Sequence, residues 1–270
     1  MNTRNLRLVA ALSILGAALA MPALAADAPP TPAAAAPAPA AIPYVVPVDT
    51  PAYIKAAVDS STRTPEQKAR DFNRKPAELL AMSGIKPRDR VVEFASAGQY
   101  FTPMLSDIVG PKGMVYMFDL PYTETRAGAA SRAFVATHPN SRYELVDYNM
   151  LEMPQNIDVV YMVLYYHDLP LNKIDTAALN AKILKALKPG GIYFIVDHNA
   201  RPGSGTEDTQ KLHRIDPAVI KQEVTAAGFE LVEESKLLAR TDDDHTKMVF
   251  TPGLRGLTDQ SIFKFRKPRK

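Results

Sequence analysis

Across 270 residues, 32 lysines and arginines nearly balance 29 acidic residues, and no stripe of basic and aromatic residues accompanies them; this excludes an electrostatically driven nucleic-acid binder. There is no cysteine, so disulfides, thiolate metal sites and a cysteine nucleophile are excluded together. That composition is compatible with an oxidising compartment.

In chain order, residues 1–25 read as a secretory leader. Arg4 and Arg7 form its positive end, Leu8 to Ala20 its apolar run, and Ala23-Leu24-Ala25 the small-residue pattern before a cleavage point at Ala26. The apolar run is shorter than the roughly 20 residues of a permanent span. Nothing later resembles a transmembrane segment, so the protein is expected to be exported, periplasmic or extracellular, with no membrane anchor after cleavage. Residues 26–50 are rich in alanine and proline, which supply neither a core nor a full set of backbone donors, and read as an extended spacer. The folded domain is then 51–270, long enough to bury one good core.

The domain opens with helices. Thr64-Pro65-Glu66-Gln67 carries a capping residue, proline at the first helical position and glutamine three residues after the cap. A second helix starts near Pro76 and stops around Gly84. Strands and helices then alternate: strands at Val91–Phe94, Val115–Asp119, Tyr143–Val146, Asp158–Tyr165 and Ile192–Asp197, with helices at Tyr100–Val109, Thr125–Thr137 and Ile174–Leu187. Such alternation with β-branched strands predicts a parallel sheet covered on both faces. Asp216-Pro217 caps a last helix ending at Gly228, and two more strands, Glu230–Leu238 and Ser261–Phe265, close the chain. The basic end, Lys264 to Lys270, reads as a solvated tail.

In this order and spacing, KPRDRVVEFASAGQYFT (86–102), DVVYMVLYYHDL (158–169), LKPGGIYFIVDHN (187–199), AAGFELVEESKLL (226–238) and the final FKFRKP resemble class I S-adenosylmethionine-dependent methyltransferases. More narrowly, the chain resembles a bacterial family of exported "predicted methyltransferases". The resemblance covers about Arg63 to Pro268. It implies an α/β, Rossmann-like, seven-stranded sheet, mostly parallel with an antiparallel C-terminal strand. It also implies that S-adenosylmethionine binds beyond the carboxyl ends of the strands. Glu93 would stand near the cofactor's cationic end, Ala95, Ala97 and Gly98 under its methionine part, Asp119 at its ribose, and Asp147 with Tyr148 at its adenine. The family's acidic-x-Gly-x-Gly-x-Gly loop reads Glu93-Phe94-Ala95-Ser96-Ala97-Gly98-Gln99 here. Only Gly98 remains, between the expected glycine positions, and the Gln99 side chain must find room, one available place being the cofactor pocket.

Tyr165-Tyr166-His167-Asp168 ends the fourth strand, where the resemblance places the transferred methyl group. His167 is the candidate general base, Asp168 its orienting partner, and Tyr165 or Tyr166 a stacking surface for a flat acceptor. Strand alternation, if β structure extends that far, sets Tyr165 and His167 on one side and Tyr166 on the other. Asp197-His198 ends the next strand, so His167, Asp168, Asp197 and His198 are considered together as ligands, although no metal site is assigned. Asp242-Asp243-Asp244-His245 reads as a solvated loop. Three functions follow: methyl transfer to a small-molecule acceptor, a binding or scaffold protein that kept the fold without the cofactor, or a metal-dependent enzyme on the same sheet.

Overall fold

The computed structural model describes residues 43–270; the predicted leader and most of the predicted spacer lie outside the described residues. Within 43–50, the Tyr44 hydroxyl accepts from the Ala77 backbone N–H at 3.2 Å and donates to Glu78. No helix among the described residues is long and apolar enough to cross a membrane.

Seven strands form one sheet: β1 (Arg90–Phe94), β2 (Met114–Asp119), β3 (Ser141–Leu145), β4 (Ile157–Val163), β5 (Leu187–His198), β6 (Glu230–Ser235) and β7 (Gln260–Arg266), in the order β3-β2-β1-β4-β5-β7-β6. β7 runs antiparallel to both neighbours, and the β1–β5 pairings are parallel. The helices are α1 (Ala52–Asp59), α2 (Pro65–Lys68), α3 (Asp71–Arg74), α4 (Pro76–Ser83), α5 (Thr102–Val109), α6 (Ala129–Thr137), α7 (Asp168–Leu171), α8 (Thr176–Ala186), α9 (Thr209–Leu212) and α10 (Pro217–Ala226).

Neighbouring strand residues point to opposite faces, so each buried strand feeds two cores. Val92, Val160 and Ile195 join Ile183 of α8 and Val224 of α10, whereas Val91, Val159 and Val196 join Ile54, Leu80 and Leu105 of α1, α4 and α5. Burial on both faces explains why these strands lack a polar face. The capping box forms as predicted: Thr64 accepts from the Gln67 N–H, and Gln67 accepts from the Thr64 N–H. Asp216 caps α10 by accepting from the Ala218 N–H.

Four sequence expectations need correction. β4 stops at Val163, and Leu164 turns left-handed at φ 57°, so strand alternation does not govern Tyr165 to His167. β5 begins at Leu187 rather than at the expected Ile192 and takes in Pro189-Gly190-Gly191, its register against β4 jumping between the Ile157 and Val159 pairings. Arg266 belongs to β7 and pairs with Glu230 at 2.7 Å, so the basic end is strand up to that residue. The run 242–245 is not simply solvated: Asp243 is buried and holds the fully buried Arg214 through two bonds of 2.9 Å. Helix α1 had no strong start signal and was not anticipated.

Candidate active site

The carboxyl ends of β1, β4 and β5 open into a cavity of about 700 Å³, lined by Glu93, the 94–99 loop, His167 and His198. Two further walls come from 69–74, around α3, and from 249–260, before β7.

The β1 loop keeps a glycine-loop backbone without its glycines. Ala95 (φ 56°) and Gln99 (φ 45°) are left-handed, and both stand where the family pattern has glycine. Gly98 is not left-handed, and a Cβ on it would meet nothing within 4 Å. The Gln99 side chain leans onto α6, where its amide donates to Ser131 Oγ at 3.2 Å. Glu93 is 7% exposed and accepts from Thr102 Oγ1 at 2.7 Å. Burial pushes its pKa up to about 8 against the lowering effect of that hydrogen bond, so it is largely neutral at pH 7 with no cation beside it.

The cofactor candidates beyond β1 divide. Asp119 ends β2 as predicted but is 0% exposed: Ser96 Oγ and the Ala97 N–H each donate to it at 3.1 Å. Tyr148 is also fully buried, donating to Phe118 O at 2.8 Å and accepting from the Ala95 N–H at 3.3 Å, so it pins the loop from beneath. Asp147 is exposed and accepts from the Asn149 N–H at 2.9 Å within its own turn.

On the other side of the cavity the catalytic candidates separate. The Tyr166 hydroxyl donates to Glu223 and accepts from Asn180, both at 2.8 Å, which ties it into the core. Tyr165 is buried edge-on against Tyr148, ring centroids 6.0 Å apart. His167 is 3% exposed, and its Nδ1 lies 2.6 Å from Asp197 Oδ1, while its backbone N–H donates to Asp197 Oδ2 at 2.7 Å. Burial works to lower the imidazole pKa, but the Asp197 carboxylate and its hydrogen bond carry it above the ordinary histidine value. Asp197 rather than Asp168 therefore orients the ring. Asp168 stands on the other nitrogen, 3.3 Å from Nε2.

The four residues considered together as ligands do not converge on one point. Asp197 lies on the Nδ1 side of His167, and His198 Nδ1 pairs with Thr258 Oγ1 at 2.7 Å. Among the described residues, His167, Asp168 and His213 bring ligand atoms within 4.8 Å of one another. Within that group His213 Nδ1 is 3.1 Å from Asp168 Oδ1, a hydrogen bond, and His167 Nε2 lies 3.3 Å from the same oxygen. The surroundings are cationic: burial, His167, Arg214 and Arg74 push the His198 pKa down to about 3, although Asp197 opposes them. His213 was missed in the sequence because it follows a four-residue helix with no periodicity of its own.

No protein-family profile matches the chain. A ubiquinone/menaquinone biosynthesis C-methyltransferase from Teredinibacter turnerae is 24% identical over 135 residues, 50% of this chain and 53% of that protein; the match thus spans about half the length of the curated relative. A SAM-dependent methyltransferase from Aquifex aeolicus superposes with a TM-score of 0.52 at 17% identity, covering 79% of this chain and 96% of that one. One from Mesorhizobium loti gives 0.52 at 20% identity, covering 73% and 99%. The [4+2]-cyclase SpnF gives 0.53 at 16% identity over 78% and 85%, so a protein with a different activity lies equally near. With the strand order and the single antiparallel β7, these likenesses establish that the chain carries the class I S-adenosylmethionine-dependent methyltransferase fold.

Proposed function

We propose that this domain transfers a methyl group from S-adenosylmethionine to a small-molecule acceptor held in the cavity. The observation that carries the reading is His167: a buried imidazole, fixed at 2.6 Å by a buried carboxylate, on the cavity wall beyond β4. The methionine end of the cofactor fits the residues present. Ala95 and Gln99 hold the loop in a glycine-like path, and Glu93 offers a carboxyl group that a neighbouring cation would ionise. When bound, the cofactor supplies an electrophilic methyl on a sulfonium sulfur, which keeps the electron pair as the carbon–sulfur bond breaks. Once the acceptor displaces Asp168 from its place 3.3 Å from His167 Nε2, that nitrogen takes the proton of the acceptor's hydroxyl or amine as the new bond forms, and Asp197 stabilises the resulting imidazolium.

A second reading, a cofactor-free binding protein, is favoured by Asp119. A ribose can reach that carboxylate only if Ser96 and Ala97 let go of it. Export, if the expected leader is cleaved, would favour it as well, because the cofactor is made in the cytosol.

Calorimetric titration of the purified chain with S-adenosylmethionine and S-adenosylhomocysteine separates the two. The first reading expects micromolar binding, weakened at least tenfold for S-adenosylmethionine by Glu93→Gln. Absence of binding at millimolar ligand would leave the second.

A further inference from the structure

The cavity is lined by four arginines, Arg70, Arg74, Arg126 and Arg255, against two carboxyl groups, Glu93 and Asp168. Glu93 is largely neutral, and Asp168 already faces His167 and His213. Among the described residues none of the four guanidinium groups has a hydrogen-bond or carboxylate partner, whereas Arg63, Arg132, Arg214 and Arg266 all do. Asp71, between Arg70 and Arg74 in sequence, makes no direct pair with either: it is held by Arg63 at 2.6 and 2.8 Å and by the Tyr100 hydroxyl at 2.6 Å.

The cluster is built rather than scattered. Arg70 and Arg74 lie over the Tyr100 ring, 4.9 and 4.7 Å from its centroid, so the aromatic face fixes both cations. Arg255 lies 5.9 Å from the Phe250 centroid, on the wall contributed by 249–260. Arg74 is half-buried, and its burial, together with Arg70 and Arg255 nearby, lowers its pKa to about 10. Holding like charges together around a cavity is unfavourable unless an anion joins them. The cofactor is not that anion: sulfonium, ammonium and one carboxylate leave S-adenosylmethionine with a net positive charge.

We propose that the cavity takes a small oxyanion bearing at least two negative charges, a phosphorylated compound or a polycarboxylate, gripped by Arg70, Arg74 and Arg255. That this anion is the methyl acceptor rests on the proposed methyl transfer; that the cavity binds it does not. Guanidinium forks match carboxylate and phosphate oxygens equally well, so two probes are needed.

The test titrates the full chain, without cofactor, with inorganic pyrophosphate and with citrate at low ionic strength. Submillimolar binding of at least one probe is expected, and the tighter one identifies the source of the oxyanion. Arg70→Gln, Arg74→Gln and Arg255→Gln should each weaken it at least fivefold, while Arg142→Gln, a β3 arginine outside the cavity, leaves it unchanged. Arg255 is exposed, so its variant keeps the fold. No binding of either probe at 10 mM, or binding that the Arg255 and Arg70 variants leave unchanged, overturns the proposal. Anion binding without S-adenosylmethionine binding would sustain the anion site and remove methyl transfer; the reverse would do the opposite.

Discussion

The Asp197 carboxylate accepts from the His167 backbone at 2.7 Å, from His167 Nδ1 at 2.6 Å and from the His198 backbone at 2.7 Å. Asparagine has the same shape but presents an NH₂ to at least one of these donors. Breaking a buried pair in this way costs about 3 kcal/mol, so Asp197→Asn should lower the urea midpoint accordingly. The pair also sets a pH signature. Burial works to raise the Asp197 pKa, but His167 holds it below the ordinary carboxylate value; its stabilisation exists above the unfolded pKa of about 3.9 and fades as pH falls through the folded one. The His167 pKa is raised, so its stabilisation is complete below the unfolded value of about 6.5 and fades as pH climbs past the folded one. Together they stabilise most between about pH 4 and 6.5. Unfolding free energy measured across pH 3 to 9 should show shoulders on both sides of that window, and Asp197→Asn should flatten them. Curves that run parallel for the two proteins would remove the pair from the account.

Among the elements, the β1 loop shows why local sequence and local shape part company. A pattern that asks for glycine at the third, fifth and seventh positions from Glu93 finds alanine, alanine and glutamine, yet the third and seventh positions are still left-handed. Tyr148, Asp119 and Gln67, which donates to Gln99 O at 2.7 Å, hold that path from outside the loop. The strain therefore sits at Ala95 and Gln99, since each left-handed L-residue costs roughly 1–2 kcal/mol. Ala95→Gly should raise unfolding free energy by about 1 kcal/mol, the relief being partly offset by a more flexible unfolded chain. Gly98→Ala, at the one glycine left in the loop, should be neutral to within about 0.5 kcal/mol, because its backbone and surroundings both tolerate a Cβ. Chemical denaturation of both variants checks the contrast, and the opposite ranking would place the demand for glycine elsewhere. The strands were legible for a complementary reason. Val91-Val92, Val159-Val160 and Ile195-Val196 are buried on both faces and so form continuous apolar runs, whereas the end of β4 was overrun because Leu164-Tyr165-Tyr166 is equally apolar but serves as a turn.

Over the whole molecule, the sheet and a cavity beyond the carboxyl ends of its strands were readable from strand order, but the cavity's charge was not. Arg70 immediately precedes α3, a helix of four residues that ends at Arg74, and Arg255 sits in the segment before β7; nothing in spacing brings 70, 74 and 255 together until the sheet closes. With a formal charge of only +3, general self-repulsion is small, so any marked response to salt should report local clusters. Exposed pairs such as Arg266–Glu230 and Lys221–Glu234 lose stability as salt rises. The Arg70, Arg74 and Arg255 group responds with the opposite sign, since its repulsion is screened as the Debye length falls from about 30 Å at 0.01 M to about 8 Å at 0.15 M. The unliganded protein should therefore gain about 1 kcal/mol over that range of sodium chloride, a rise in Tm of roughly 2–4 °C for a domain of this size. Arg74→Gln, which removes the most deeply placed of the three charges, should itself be more stable at low salt and lose at least half of the gain. Scanning calorimetry of both proteins at the two salt concentrations gives the comparison. A Tm that falls with salt in the wild type, or rises equally in the variant, would mean that the arginines do not strain the empty cavity, and the physical reason for expecting an anion there would be gone.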